Sequence, residues 1–183
     1  MSITKPSANE RILQTAHDLF YRDGIRATGI DKIIKQAGVT KVTFYRHFPS
    51  KDDLVRAFLE FRHERWMSWF SDSLAREMAV NNDFATALCA TLKEWFCDDS
   101  FRGCAFINTA VELADALPES LIMAQSHKQK MVDVLAQYLA DSDTGRYQAE
   151  MIAMLIDGAI VKAQRERQAD AAVKMLGDWL NAL

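Results

Sequence analysis

Glycine, proline and long apolar runs are scarce in this sequence. Seven glycines and three prolines in 183 residues leave few sites for the tight turns of a β-rich chain, and β-branched residues seldom alternate with polar ones. The chain is therefore predicted to be all-α. It has no run of about 18 apolar residues and no apolar signal core at its N-terminus, so we expect no membrane span and no export. We predict a cytoplasmic protein.

Cysteine is also rare, and its number is odd. Cys89, Cys97 and Cys104 do not suit a disulfide framework, and the cytoplasm would keep them reduced. We interpret them first as small core residues. Cys104 stands near Arg102 at a predicted helix start, which leaves a second interpretation open: a thiol with a lowered pKa that senses oxidants or electrophiles.

Charge is unevenly distributed along a chain whose net charge is -3 and whose hydrophobic content of 49% is enough for a core. Residues 1–55 carry nine Lys or Arg and six Asp or Glu, a net charge of +3, and the remainder carries -6. A basic N-terminal part on an acidic remainder suits a protein that meets an anionic polymer through its N-terminal part alone.

Helix-capping signals are dense in the first fifty residues. Ser7 and Glu10 form a capping box that predicts a helix from about Ala8, with a left-handed stop at Gly24. A weaker box from Thr28 to Asp31 predicts a short second helix over residues 30–37.

The same signals predict two further helices in this region. Gly38 provides a sharp turn after the second helix, Thr40 can cap a third that runs to about His47, and Ser50 can cap a fourth. These short helices need one another for stability, because isolated helices of this length are marginal in water. We therefore predict a compact helical domain over residues 1–55.

Longer helices are predicted for the rest of the chain. The fourth helix should run from Lys51 to about Met78 and link two domains. Further helices are expected over residues 84–97, 104–116, 118–140, 146–166 and 171–182. We thus expect about nine helices, with residues 56–183 forming the larger helical domain.

The second and third helices form a helix-turn-helix pattern, in which the second helix of the pair enters the major groove of DNA. Burial of Ile34, Val39 and Phe44 would fix the angle between them. This leaves one face of the third helix to point outward, with residues Lys41, Val42, Thr43, Tyr45 and Arg46.

These residues resemble the DNA-binding domain of the tetracycline-repressor (TetR) family of bacterial regulators over about residues 8–55. The shared pattern comprises Gly24, Thr28, Ile33, Ala37, Gly38, Val39, Thr40, Phe44, Tyr45, His47, Phe48, Lys51 and Leu54. Val42 departs from it, because the family often has a small residue there. The departure concerns the operator sequence rather than DNA binding itself.

The resemblance implies two sets of DNA contacts. Phosphate contacts, which position the protein without reading sequence, are expected from Thr28, Thr40, Tyr45, His47 and Lys51. Base contacts are expected from Lys41, Val42 and Thr43. Thr28 and Thr40 could instead act only as helix caps, and Lys5 could reach an adjacent groove or lie free in solvent.

The resemblance also implies that residues 56–183 dimerise and bind a small effector. A dimer interface made by the last two helices is expected to contain Ile156, Ala159, Ala163, Val173, Leu176 and Leu180. The alternative is that this pair packs inside one chain. An effector pocket is expected from Trp66, Trp69, Phe70, Trp95, Phe96, Phe106, Asn108, Glu112 and His127, although aromatic residues at helical spacing are more often core.

Together these features predict a homodimeric repressor that binds a palindromic operator and is released by a small organic effector. No cofactor and no metal are expected: His63 and Glu64 begin an H-E-x-x-H pattern, but its fifth position is Met67. An enzyme that uses Cys104 or His127 is a distant alternative, since no nucleophile, base and orienting group share a recognisable spacing. An interaction module without DNA binding is another.

Overall fold

A computed structural model describes residues 6–182 of the chain. Within that range it contains nine α-helices and no strand, which confirms the predicted all-α fold. The helices are α1 (Ala8–Asp23), α2 (Ile30–Ala37), α3 (Lys41–His47), α4 (Lys51–Asn81), α5 (Phe84–Phe96), α6 (Ala105–Leu113), α7 (Glu119–Ala136), α8 (Asp143–Glu166) and α9 (Asp170–Leu180).

Helices α1 to α3, here called the head, pack around a small apolar core. The predicted capping box is present at the start of α1, where the Ser7 amide donates to Glu10 at 2.7 Å and the Glu10 amide donates to Ser7 Oγ at 3.2 Å. Ile12, Ile33 and Phe44, from three different helices, are fully buried. Each short helix is therefore held mainly by the other two and by the start of α4.

The turn between α2 and α3 has the expected geometry. Gly38 adopts the left-handed conformation with φ 63° and ψ 43°, a region that costs a residue with a Cβ. Thr40 then caps α3, its Oγ1 accepting from the Thr43 amide at 3.1 Å. The predicted helix-turn-helix is thus formed by α2, this turn and α3.

Two predicted local features of the head are wrong. Gly24 ends α1 with φ 89° and ψ 154°, a positive φ but not the left-handed helical conformation. Gly29, rather than Thr28, is the N-cap residue of α2, and it offers no side-chain cap. The Thr28 hydroxyl makes no cap bond to α2 and instead donates to the Gly24 carbonyl at 2.7 Å.

Helix α4 is 31 residues long and passes from the head into the remaining helices, α5 to α9, here called the body. Leu54 and Phe58 are buried near its start, and Phe70 and Leu74 are buried farther along. It ends at Asn81, three residues beyond the predicted end, where Asn82 takes a left-handed conformation. A domain boundary at residue 55 would lie inside this helix.

The body is a bundle in which α5 packs on α4 and α9, while α8 packs on α7 and α9. Its predicted helices are all present, but α6 ends at Leu113 instead of residue 116 and α7 ends at Ala136 instead of residue 140. Among the described residues no helix has both the length and the apolar character that crossing a membrane requires.

Candidate nucleic-acid interface

Helix α3 has one buried and one exposed face. Phe44 is fully buried and lies 6.3 Å from the ring of Phe48, which is also buried. On the other face Lys41 and Arg46 are exposed, and Val42 is 79% exposed. A single exposed apolar side chain is common on protein surfaces, so the cations rather than Val42 distinguish this face.

The two cations of this face are available for a ligand. Elsewhere in the head, Arg22 and Lys32 pair with Asp23 at 2.7 and 2.9 Å, and these pairs hold the pKa of the Asp23 carboxyl well below its usual range. Lys41 and Arg46 form no ion pair with any side chain of residues 6–182. The outward face of α3 therefore carries uncompensated positive charge.

The other predicted contact residues of α3 lie on or beside this face. Tyr45 is 40% exposed, whereas Thr43 and His47 are half-buried. Thr40 is exposed, and its Oγ1 lies 2.9 Å from Thr43 Oγ1 in addition to its capping bond. Capping by Thr40 is thus confirmed, and its contact with phosphate stays a prediction.

Thr28 does not lie on this surface. Its side chain is fully buried, and its hydroxyl donates to a main-chain carbonyl of the same loop. A buried hydroxyl that already donates cannot also donate to a phosphate. The expected phosphate contact of Thr28 stays a prediction that this conformation does not favour.

Lys51 is also directed away from the exposed face of α3. Its Nζ donates to the Ile25 carbonyl at 2.6 Å and lies 6.0 Å from the centroid of the Phe20 ring. Burial lowers the pKa of Lys51, and the nearby Glu112 carboxylate partly offsets this. This hydrogen bond fixes the loop between α1 and α2. The expected contact of Lys51 with phosphate stays a prediction.

Lys51→Ala is expected to lower stability rather than DNA affinity. Loss of a partly buried, charged hydrogen bond should reduce the free energy of unfolding by about 1–2 kcal/mol, while the slope of DNA affinity against salt should stay within experimental error. Urea denaturation and fluorescence anisotropy at several salt concentrations would measure both. If the slope of log affinity against log salt became shallower by about 1 in the variant, Lys51 would instead be a phosphate contact.

Lys5, expected to reach an adjacent groove, lies outside the described residues.

The residues predicted for one effector pocket are distributed over several sites. Trp66, Trp69 and Trp95 line a cavity of about 280 Å³ against α1. Phe70 is fully buried and stacks on Trp66 with a centroid distance of 4.7 Å. Phe96 lines a different, larger groove of about 690 Å³. The structure therefore does not bring the predicted set together around a single ligand.

Asn108 and Glu112 line a third cavity, of about 380 Å³, between head and body. In this cavity Glu112 Oε2 accepts hydrogen bonds from the amides of Ile25 and Arg26 at 2.9 and 3.0 Å. Glu112 thus makes hydrogen bonds to the head, and its contact with an effector stays a prediction. Sequence spacing gave no sign of them, since 87 positions separate Glu112 from Ile25.

Tyr21 makes a second connection between head and body that the sequence did not reveal. Its hydroxyl donates to the Gly103 carbonyl at 2.9 Å and accepts from the Arg102 amide at 3.0 Å. Both connections reach α6 or the loop before it. A movement of α6 would therefore act directly on α1 and on the loop that follows it.

His127 is buried in the body against Phe106. The two rings stack with centroids 3.8 Å apart, and His127 Nδ1 lies 3.0 Å from His63 Nδ1. Burial, with smaller contributions from Lys128 and His63, lowers the pKa of His127 to about 2. The imidazole is therefore neutral in the folded protein at any moderate pH.

Stability is expected to fall as the pH drops below about 6.5, since the unfolded chain then protonates His127 and the folded chain does not. The free energy of unfolding should decrease by up to about 1.4 kcal/mol per pH unit for this one group. The free energy of unfolding would go on decreasing with falling pH until the folded protein also protonates His127, at its pKa of about 2. Urea denaturation from pH 7 to pH 5 would measure the slope, which should become shallower in His127→Phe. An unchanged slope would mean that His127 titrates normally.

The residues predicted for the dimer interface point mostly into the body. Ile156, Ala159, Ala163 and Leu176 are buried within the chain, and Val173 and Leu180 are half-buried. Their place in a dimer interface stays a prediction. The helices expose a different apolar face, defined by Tyr147, Met154, Val161, Met175 and Trp179.

Cys104 is the N-cap residue of α6 and is 3% exposed. Its thiol is shielded from reagents in solution, whereas Cys97 is exposed. Over residues 6–182, no cluster of three or more His, Cys, Asp or Glu side chains could hold a metal ion.

Comparison with known proteins places this geometry among bacterial regulators. The family described as bacterial regulatory proteins, tetR family, matches residues 12–58. The nucleoid occlusion factor SlmA of Marinobacter nauticus is 43% identical over 65 residues, which are 35% of this chain and 33% of that protein. The transcriptional regulator TtgR of Pseudomonas putida is 39% identical over 64 residues, 33% of this chain and 30% of that protein. The chain thus spans about a third of the length of these relatives.

The similarity of folds extends much farther than the similarity of sequences. The crystal structure of a TetR-family transcriptional regulator from Streptomyces coelicolor has a TM-score of 0.79 and 26% identity, over 96% of this chain and 93% of that one. The body therefore shares its architecture with such regulators, although its residues differ from theirs.

Proposed function

Because this chain belongs to the TetR family of bacterial transcriptional regulators, we propose that it represses transcription by binding operator DNA as a homodimer and leaves the DNA when a small organic effector binds. Residues 1–55 would form the DNA-binding domain, and residues 56–183 would bind the effector and dimerise. The observation that carries this proposal is the outward face of α3, with its exposed Val42 and its unpaired Lys41 and Arg46.

On this proposal α3 enters the major groove. Lys41, Val42 and Thr43 lie at its N-terminal end and would contact base edges, as the N-terminal residues of recognition helices do. A lysine can donate to guanine, and the methyl groups of Val42 and Thr43 can pack on a thymine methyl. Thr40, Tyr45, Arg46 and His47 would contact phosphates and fix the register.

The exposed apolar face of α8 and α9 supports a dimer. Met154 and Met175 are 68% and 62% exposed, and Trp179 is 42% exposed. Gly158 lies on the same side of α8, and no atom lies within 4 Å of where its Cβ would be, so a second backbone could approach closely. A twofold axis through this face would place two copies of α3 on one operator, with half-site centres roughly 34–36 Å apart.

Release of DNA requires that effector and operator favour different arrangements of the two heads. Glu112 and the loop ahead of α6 hydrogen-bond to the head, so a displacement of α6 by a ligand would be transmitted to α1 and α2. The relatives are regulators rather than enzymes, and the outward cations argue against an interaction module without DNA. Burial of Cys104 argues against its use as a sensor.

In vitro selection of DNA sites by the purified protein tests this proposal. We expect enriched sequences with two inverted half-sites whose centres are about one helical turn apart. Repetition with a small-molecule extract of cells should reduce recovery of the same sites if the effector is present. Enrichment of single, unpaired half-sites would contradict the dimer, and no enrichment above a library without protein would contradict DNA recognition.

A further inference from the structure

Arg62 carries a charge that no acidic side chain neutralises directly. It is half-buried on α4, and its Cζ lies 4.0 Å from the centroid of the Tyr21 ring. No carboxylate of residues 6–182 lies within ion-pair distance of its guanidinium. Burial lowers the pKa of Arg62. A buried cation of this kind usually has an anionic partner.

A neutral side chain, His17, lies within hydrogen-bond distance of the Arg62 guanidinium. His17 Nε2 lies 3.3 Å from Arg62 Nη1, and His17 Nδ1 lies 2.9 Å from an Asp18 carboxylate oxygen. Donation from Nδ1 to Asp18 leaves Nε2 as the acceptor for Arg62. Burial lowers the pKa of His17, which keeps the ring uncharged. Arg62 therefore retains its full positive charge.

Two acidic residues line the same cavity, but both already accept other hydrogen bonds. Glu94 accepts from Trp69 Nε1 at 3.1 Å, from Ser73 and from Arg76. Asp98 accepts from the amide and hydroxyl of Ser100. Neither carboxylate lies within ion-pair distance of Arg62, which also lines the cavity.

The cavity beside Arg62 is aromatic. Its volume is about 280 Å³, and Tyr21, Trp66, Trp69 and Trp95 contribute to its wall. Trp66 is 6% exposed, and its Nε1 is buried with no hydrogen-bond partner anywhere in the described part of the chain.

We infer that the Arg62 cavity binds a small aromatic carboxylate, with the carboxylate on the Arg62 guanidinium and the ring against the wall that the tryptophans form. Arginine suits this role because its planar fork donates two parallel hydrogen bonds to a carboxylate. The aromatic wall would supply apolar burial and ring stacking. Any effect of such a ligand on DNA rests on the proposed function, whereas its binding does not.

The position of the cavity suits a controlling ligand. Tyr21 belongs to the head, Arg62 to α4 and Trp95 to α5. The Tyr21 hydroxyl is also hydrogen-bonded to the loop before α6. A ligand in this cavity would therefore contact three elements whose relative positions set the orientation of the head.

Isothermal titration calorimetry of the wild-type protein with 2-naphthoate and 2-naphthamide provides the first test. The two probes share size and shape and differ in charge. We expect 2-naphthoate to bind at least roughly tenfold more tightly, since a charged hydrogen-bonded pair is worth about 1.5–3 kcal/mol. Equal affinities, or no heat from 2-naphthoate up to about 1 mM, would overturn the inference.

Arg62→Gln provides the second test, with Arg56→Gln as its control. Arg56 is also on α4 but already pairs with Asp53 at 2.8 Å, and it does not line the cavity. Arg62→Gln should lower the affinity for 2-naphthoate at least roughly tenfold and leave the affinity for 2-naphthamide unchanged. Arg56→Gln should change neither affinity. Unchanged binding of 2-naphthoate in folded Arg62→Gln would contradict the inference; if that variant does not fold, the wild-type comparison decides.

DNA binding is measured in parallel with a selected operator. If 2-naphthoate binds through Arg62 and the operator stays bound, the cavity is a carboxylate site but does not control DNA binding. If the operator binds but neither probe does, the inference fails and DNA recognition stands. The two failures are therefore distinguishable.

Discussion

Phe44→Ala should abolish sequence-specific DNA binding and lower the free energy of unfolding of the head by about 3–5 kcal/mol. Phe44 is fully buried and is the main core residue of α3, a helix of only seven residues. Without its ring, α3 would lose the contact that fixes its angle to α2. Circular dichroism during urea denaturation would measure stability, and fluorescence anisotropy with a selected operator would measure affinity.

Val42→Ala is the matched control on the same helix. Val42 is 79% exposed, so its truncation removes little burial and should change stability by no more than about 0.5 kcal/mol. It should alter which sites are preferred without unfolding the head. Equal stability of Phe44→Ala and Val42→Ala would show that α3 is held by something other than its buried ring.

Combined substitution of Lys41→Ala and Arg46→Ala should weaken operator binding by about 2 kcal/mol or more, which is roughly thirtyfold. Both side chains are exposed, and neither forms an ion pair with residues 6–182. Their removal therefore takes charge from the DNA surface without breaking a native contact. The slope of log affinity against log salt should fall by about 2, and anisotropy titrations at several salt concentrations would show both effects.

The control for this double variant removes the same charge from the body. Lys93→Ala with Lys130→Ala alters α5 and α7, whose lysines pair with Asp170 at 2.9 Å and Asp133 at 3.7 Å. Operator affinity in this control should stay within about twofold of wild type. If both double variants lost affinity equally, net charge alone would govern binding, and α3 would have no special role.

Local signals predicted the head well because its structure is determined locally. The capping box at Ser7, the cap at Thr40 and the turn at Gly38 each involve residues at most five positions apart, and all are present. The apolar spacing of the second and third helices likewise identified Phe44 as core. The resemblance to the TetR family then supplied the function that these elements serve.

Tertiary contacts give three residues partners that the sequence did not indicate. Lys51 hydrogen-bonds to a carbonyl 26 positions away, and Glu112 to amides 86 and 87 positions away. No spacing rule contains such distances. A threonine at a helix start predicts a cap, but the fold buries Thr28, and its hydroxyl donates to the preceding turn.

The sequence alone does not determine the dimer surface, because α8 has apolar residues on two sides. Ile156 and Ala163 belong to the inner side, and Met154 and Val161 to the outer one. Helical periodicity identifies each stripe but not which of them faces the rest of the chain. The packing of α8 on α7 and α9 distinguishes them.

The continuity of α4 has a consequence for hydrogen exchange. One helix of 31 residues contributes buried side chains both to the head, through Leu54 and Phe58, and to the body, through Phe70 and Leu74. The head therefore cannot open fully without losing the contacts that hold the first turns of α4. Backbone amides of α1 and of the first half of α4 should accordingly exchange with solvent deuterium as one cooperative unit.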